Sequence, residues 1–235
     1  YIKNNIQIIQ IISLVLSKKE NGMALVDGLP SVILSNVAQL IKQKVPADTA
    51  PLVEQFSDLL YQNISTLDLN DRNDSDMYGA TLSLWNSLND HQDDTPVIKV
   101  FNPQVSKHGW KSSHTIIEII IGDMPFLVDS IRIALTRLGL TPHLMLNSPI
   151  NIVRDKQNNV TELSSAANKT KQSSAVETVF FIEIDRQSEQ DVLRNIEDEL
   201  RSVLSDISIT VDDWQAMKTR LSEVIADTKK AKLPC

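Results

Sequence analysis

The sequence predicts an α+β fold: a helical segment over residues 23–95, then a β-α-β-β-α-β body over 96–211 whose helices cover one face of a four-stranded antiparallel sheet. Three observations predict it. Apolar residues recur at helical spacing through the first ninety positions. From Thr115 to Leu140 a strand pattern turns into a helix pattern across one short polar turn. A second change from strand to helix follows between Val176 and Leu204.

Taken in order, isoleucines at 2, 6, 8, 9, 11 and 12 with Leu14, Val15 and Leu16 make residues 1–22 an N-terminal helix, apolar nearly all round, that is either extra or non-native. Ser31 caps a second helix with Ile33, Leu34, Val37, Ala38 and Ile41 inward, ending before Pro46. Thr49 and Pro51 open a third, carrying Leu52, Val53, Phe56, Leu59 and Leu60. After the polar interval Asn70 to Asp76, a fourth places Tyr78, Leu82, Trp85 and Leu88 on one face. Tyr78, Trp85 and Trp110 are read as core anchors rather than a stacking platform.

A charged linker, His91 to Thr95, leads to a short strand, Val97 to Phe101, which Asn102-Pro103 stops. In Thr115 to Ile121 the odd positions form an apolar row, with Glu118 between Ile116 and Ile120 on the other. The helix that follows turns Leu127, Ile131, Ala134, Leu135 and Leu138 inward. Asp123 is its expected cap, Pro125 lies near its first turn, and Gly139 suits a left-handed end.

Thr141 to Arg154 reads as a strand whose prolines, Pro142 and Pro149, demand a sheet edge. Asp155 to Ala175 is expected to be a mobile loop, being too long and polar for an ordinary hairpin connection. Val176 to Ile184 resumes strand alternation, and a helix burying Val192, Leu193, Ile196, Leu200 and Leu204 follows. Ile207 to Val211 is the expected last strand. Asp212 or Asp213 then caps a connecting helix over 212–235, with Trp214, Met217, Leu221, Val224 and Ile225 on one side.

Composition narrows the classes. A formal charge of −7 and a pI near 5.1 provide no basic field for phosphates, so nucleic acid is not an expected partner. One cysteine, Cys235, allows no internal disulfide framework and fits a cytoplasmic protein. The apolar run Ile6 to Leu16 is too short to span a bilayer, and no membrane partner is expected.

Strand, Asp-x-Pro turn, helix, Leu-Gly and strand in that order resemble the opening of an ACT domain, a ferredoxin-like βαββαβ module of amino-acid metabolism. Further blocks narrow the resemblance: Asp76-Met77-Tyr78-Gly79-Ala80, Leu82-Ser83-Leu84-Trp85, Val100-Phe101-Asn102-Pro103, His108-Gly109-Trp110, Asp123 to Ser130, and Glu183-Ile184-Asp185-Arg186-Gln187. Together they resemble the N-terminal region of the large bacterial NAD-dependent glutamate dehydrogenase, over roughly Pro51 to Ala226.

That resemblance implies a non-catalytic regulatory or oligomerisation region of an enzyme converting L-glutamate, NAD and water to 2-oxoglutarate, ammonium and NADH. It implies downstream domains of the same polypeptide and further copies of the chain, in a homo-oligomer, as partners, with an amino acid as a possible effector. NAD belongs to the parent enzyme. No cofactor is expected here, because the six glycines form neither a G-x-G-x-x-G nor a phosphate-binding loop. The rival reading is a free-standing ACT-type amino-acid sensor.

In ACT domains effectors sit near the first strand-to-helix turn, so the resemblance makes Asp123, Met124, Pro125, Phe126 and Leu127 the candidate contacts. Many such turns carry glycine after the proline, where this chain has Phe126. Ile116 and Ile120, on the sheet face away from the helices, are interface candidates that predict a second sheet or another subunit against them. No catalytic residue is assigned. His91, His108, His114 and His143 lack a metal-ligand spacing, and Ser112-Ser113-His114 lacks an orienting third group.

Overall fold

The computed structural model describes residues 32–69, 72–91, 95–167 and 175–230. The expected helix over 1–22, the Ser31 cap and most of the 155–175 loop's second half lie outside them. Four helices come first: α1 (Val32–Lys44), α2 (Ala50–Tyr61), the short α3 (Thr66–Leu69) and α4 (Asp74–Asp90). Pro51 in the first turn of α2 costs no hydrogen bond, and the Asn73 side chain caps α4 by accepting from the Ser75 amide at 2.8 Å. On α4 the deepest stripe is Met77, Ala80, Thr81, Leu84 and Leu88, with Trp85 beside it; Tyr78 and Leu82 are only half-buried.

The sheet elements are β1 (Val97–Phe101), β2 (Thr115–Gly122), β3 (Pro142–Arg154), β4 (Val160–Ser165) and β5 (Ala175–Ile184). A one-turn helix, α5 (Val105–His108), precedes β2. Helix α6 (Leu127–Arg137) lies between β2 and β3, and α7 (Gln190–Lys230) follows β5. All pairings are antiparallel, in the order β1-β2-β5-β3-β4.

The fold is therefore α+β, but the four-stranded sheet expected from the sequence is corrected to five strands in a different order. Residues 207–211 are not a strand. They are part of α7, which runs unbroken for 41 residues. Ile207 and Val211 follow Leu200, Val203 and Leu204 at helical spacing against α6, and no glycine or proline intervenes to stop the helix. Accordingly neither Asp212 nor Asp213 begins a helix. The place beside β2 is taken by β1, from ahead of the β-α-β unit.

The second correction is β4, which lies inside the expected loop. It carries two buried apolar residues, Val160 and Leu163, too few for visible alternation. Gln55 of α2 steadies it by donating to the Leu163 carbonyl at 2.9 Å. The edge expectation for β3 holds only to Pro149, because β4 pairs with β3 from Ile150 to Arg154.

Two cores flank the sheet. On one face Ile117, Ile119, Phe180 and Ile182 meet Leu127, Ile131 and Leu135 of α6 and Ile196, Leu200 and Leu204 of α7. On the other, Ile116, Ile120, Leu146, Val179 and Phe181 meet Val53, Phe56 and Leu60 of α2 and Leu84 and Leu88 of α4. Ile116 and Ile120 are fully buried there. The face read as waiting for a second sheet or subunit is covered instead by the chain's own first helices. Burying each such side chain contributes about 1.5–3 kcal/mol, so the cover is integral to the fold.

Candidate functional site

The strand-to-helix turn differs from its sequence reading in one respect. Asp123 does not cap α6; its carboxylate accepts from the Thr178 hydroxyl at 2.7 Å, and its amide donates to the Val176 carbonyl at 2.8 Å. Phe126 precedes α6 instead, with φ 71° and two-thirds of its surface exposed. This is the left-handed region that a β-carbon disfavours, so the backbone keeps the shape glycine would give while a phenyl ring stands in solvent. Leu127 is buried and Met124 half-buried. The cleft beside the turn, lined by Asp123, Met124, Phe126, Asn147 and Thr178, measures only about 150 Å³.

A larger cavity, about 420 Å³, lies on the opposite face of the sheet, where the first helices meet β3 and β5. Its apolar lining includes Ile64, Met77, Ala80, Leu144 and Phe181, and its polar lining includes Asp68, Arg72, Asp76, Lys111, His114 and Glu183. The blocks containing Met77, Trp110 and Glu183 are far apart in sequence and meet here. Gly79 lets Trp110 lie against α4, and the Lys111 amide donates to Asp76 at 3.0 Å. These two contacts fix the segment before β2 onto the helix that forms the wall.

Three glutamates point from the sheet into this helical layer: Glu118 on β2, and Glu177 and Glu183 on β5, each at least 95% buried. Isolated buried carboxylates are costly, and each has partners. Glu183 receives two parallel bonds from Arg72, at 2.7 and 2.8 Å, which in turn raise the Arg72 pKa. Glu177 is held by Arg154 and by His91, whose Nδ1 lies 2.9 Å away. Arg154 also donates to the Leu88 carbonyl, tying the β3–β4 hairpin to the end of α4. Glu118 accepts from Ser87 at 2.7 Å, yet burial holds its pKa above the usual carboxylate value.

Beside the cavity, burial pushes the Tyr61 phenol up to about 12, and its hydroxyl is 3.1 Å from that of Thr81. His114 packs on His143 with ring centroids 4.7 Å apart, and His143 meets Asp185 at 2.7 Å. Among the described residues no three histidines, cysteines or carboxylates are grouped to hold a metal. Ser113 and Glu183 both face Nδ1 of His114, at 3.3 and 3.9 Å. A nucleophile relay needs serine and carboxylate on different ring nitrogens, so these three do not form one.

Sequence reasoning named the turn and missed the cavity. The available signal was charge within apolar strand rows, at Glu118, Glu177 and Glu183. Arg72, the distant partner of Glu183, carries no such mark.

The family profile described as "Glutamate dehydrogenase, ACT1 domain" matches residues 56–200. An NAD-specific glutamate dehydrogenase of Halomonas elongata is 34% identical over 195 residues, 83% of this chain and 12% of that protein. Its namesake in Pseudomonas aeruginosa is 35% identical over 183 residues, 78% of this chain and 11% of that protein. The chain thus spans about a tenth of the length of either relative. No solved structure matches it. Among the described residues no helix is long and apolar enough to cross a membrane.

Proposed function

Because the chain belongs to the glutamate dehydrogenase ACT1-domain family, we propose that it is a non-catalytic regulatory and assembly region of an NAD-dependent glutamate dehydrogenase. The reaction served is oxidation of L-glutamate to 2-oxoglutarate and ammonium with reduction of NAD, carried out by domains elsewhere on the parent polypeptide. The short coverage of both relatives carries this reading, since the match is to one named domain of a far longer enzyme.

The regulatory half concerns where an effector of amino-acid size would bind. The cleft at the Asp123–Leu127 turn is small, about 150 Å³. The cavity under α4 is nearly three times as large, lined by cationic, acidic and apolar side chains. That pattern suits a zwitterion with an apolar side chain, and we infer that the cavity is the effector pocket. Assaying the 235-residue chain for glutamate-dependent NADH formation tests the non-catalytic reading: none is expected, and turnover by the chain alone would refute it.

A further inference from the structure

Among the described residues, most of the large apolar side chains left open to solvent gather on two helices. Phe126, Ile133, Trp214, Met217 and Leu221 are each more than half exposed, and all belong to α6, its cap or α7. Phe126 and Ile133 line a groove of about 330 Å³ between those helices, with Val203, Ile207 and Thr210 on its far wall. Helical periodicity extends that wall: Ile207, Trp214 and Leu221 are spaced by seven, as are Val203, Thr210 and Met217. Rows with this spacing drift only about 20° per step, so they stay on one side of the helix. A groove shaped for an apolar helix and a helix edge of that kind therefore lie end to end on one element.

We propose that this face is an interface with a second copy of the chain. The two α7 helices run antiparallel about a twofold axis, and each lays Trp214, Met217 and Leu221 into the α6–α7 groove of the other. A register that sets Leu221 against Val203 of the other copy also sets Met217 against Ile207. It brings Arg220 beside Asp206, an acidic group on the groove wall. A parallel arrangement would join the exposed halves and leave both grooves empty. The antiparallel one fills both at once and closes, as an isologous dimer must. This specifies the assembly half of the proposed function and is independent of the effector pocket.

Sedimentation equilibrium on the 235-residue chain is the test, and a species of twice 26.3 kDa is expected. Ile133→Glu on the groove and Met217→Glu on the ridge should each give monomers with unchanged circular dichroism. Asp206→Arg should weaken the dimer about tenfold, and adding Arg220→Asp should restore it. Those positions are about 21 Å apart along one helix, so such rescue acts between copies. A monomeric wild type, or a dimer surviving both glutamates, overturns the interface; a dimer without charge-swap rescue overturns the antiparallel geometry. Either result would leave effector binding by the cavity standing, so the two readings fail separately.

Discussion

Gly79 lies so close to Trp110 that a β-carbon added at 79 would stand 2.3 Å from the Cβ of the tryptophan. Glycine inside a helix ordinarily costs about 1 kcal/mol relative to alanine. Here the close approach reverses the preference. Gly79→Ala should destabilise the chain by about 1–3 kcal/mol, the usual range for overpacking, in urea unfolding. Trp110→Ala should not rescue it, because the nearest atom is the Cβ that alanine retains. A more stable Gly79→Ala chain would show that α4 and the segment before β2 are not in contact as described.

Phe126 predicts the converse. Its φ of 71° costs a residue with a β-carbon about 1–2 kcal/mol, and its exposed ring returns little burial. Phe126→Gly should therefore exceed Phe126→Ala in thermal stability by about 1 kcal/mol, although glycine loses more entropy on folding. Equal stabilities would mean the turn is not held left-handed.

Arg72 and Glu183 form a two-bond ion pair whose carboxylate is 4% exposed. Removing Arg72 alone leaves a buried charge without its partner. Arg72→Ala should cost about 3 kcal/mol by urea unfolding. Adding Glu183→Gln should recover most of that loss by removing the stranded charge. Additive effects would place the pair apart in solution.

Glu118 makes stability depend on pH. Burial raises its pKa in the folded state, with Ser83 and Ser87 acting in the opposite direction. The folded state thus holds this proton more tightly than the unfolded chain. The contribution is fully present below the ordinary carboxylate value and is lost as pH rises through the raised one. Glu118→Gln should match the wild type near pH 4 and exceed it near pH 8. A constant difference across that range would mean that Glu118 titrates normally.

The parts of the fold legible in the sequence were those with periodicity and punctuation of their own. β2 and α6 are set by the change of period at Gly122, and α6 ends at Arg137 with Leu138 as its C-cap and Gly139 left-handed, as its sequence indicates. Residues 207–211 misled because five β-branched or small residues fit both periods, and only the packing of Ile207 on α6 decides for the helix. The cover over Ile116 and Ile120 was illegible for another reason: pattern gives each helix an apolar side but not the surface it seeks. The cavity depends on such long-range meetings, Arg72 with Glu183 and Gly79 with Trp110.

Titration calorimetry with the common amino acids tests the central claim most directly, namely that this region senses through the pocket between its first helices and its sheet. A saturable heat is predicted for at least one amino acid, lost when Ser113→Trp fills the cavity that Ser113 lines and kept in Phe126→Ala. No heat with any of them, or binding lost in Phe126→Ala and kept in Ser113→Trp, would contradict it.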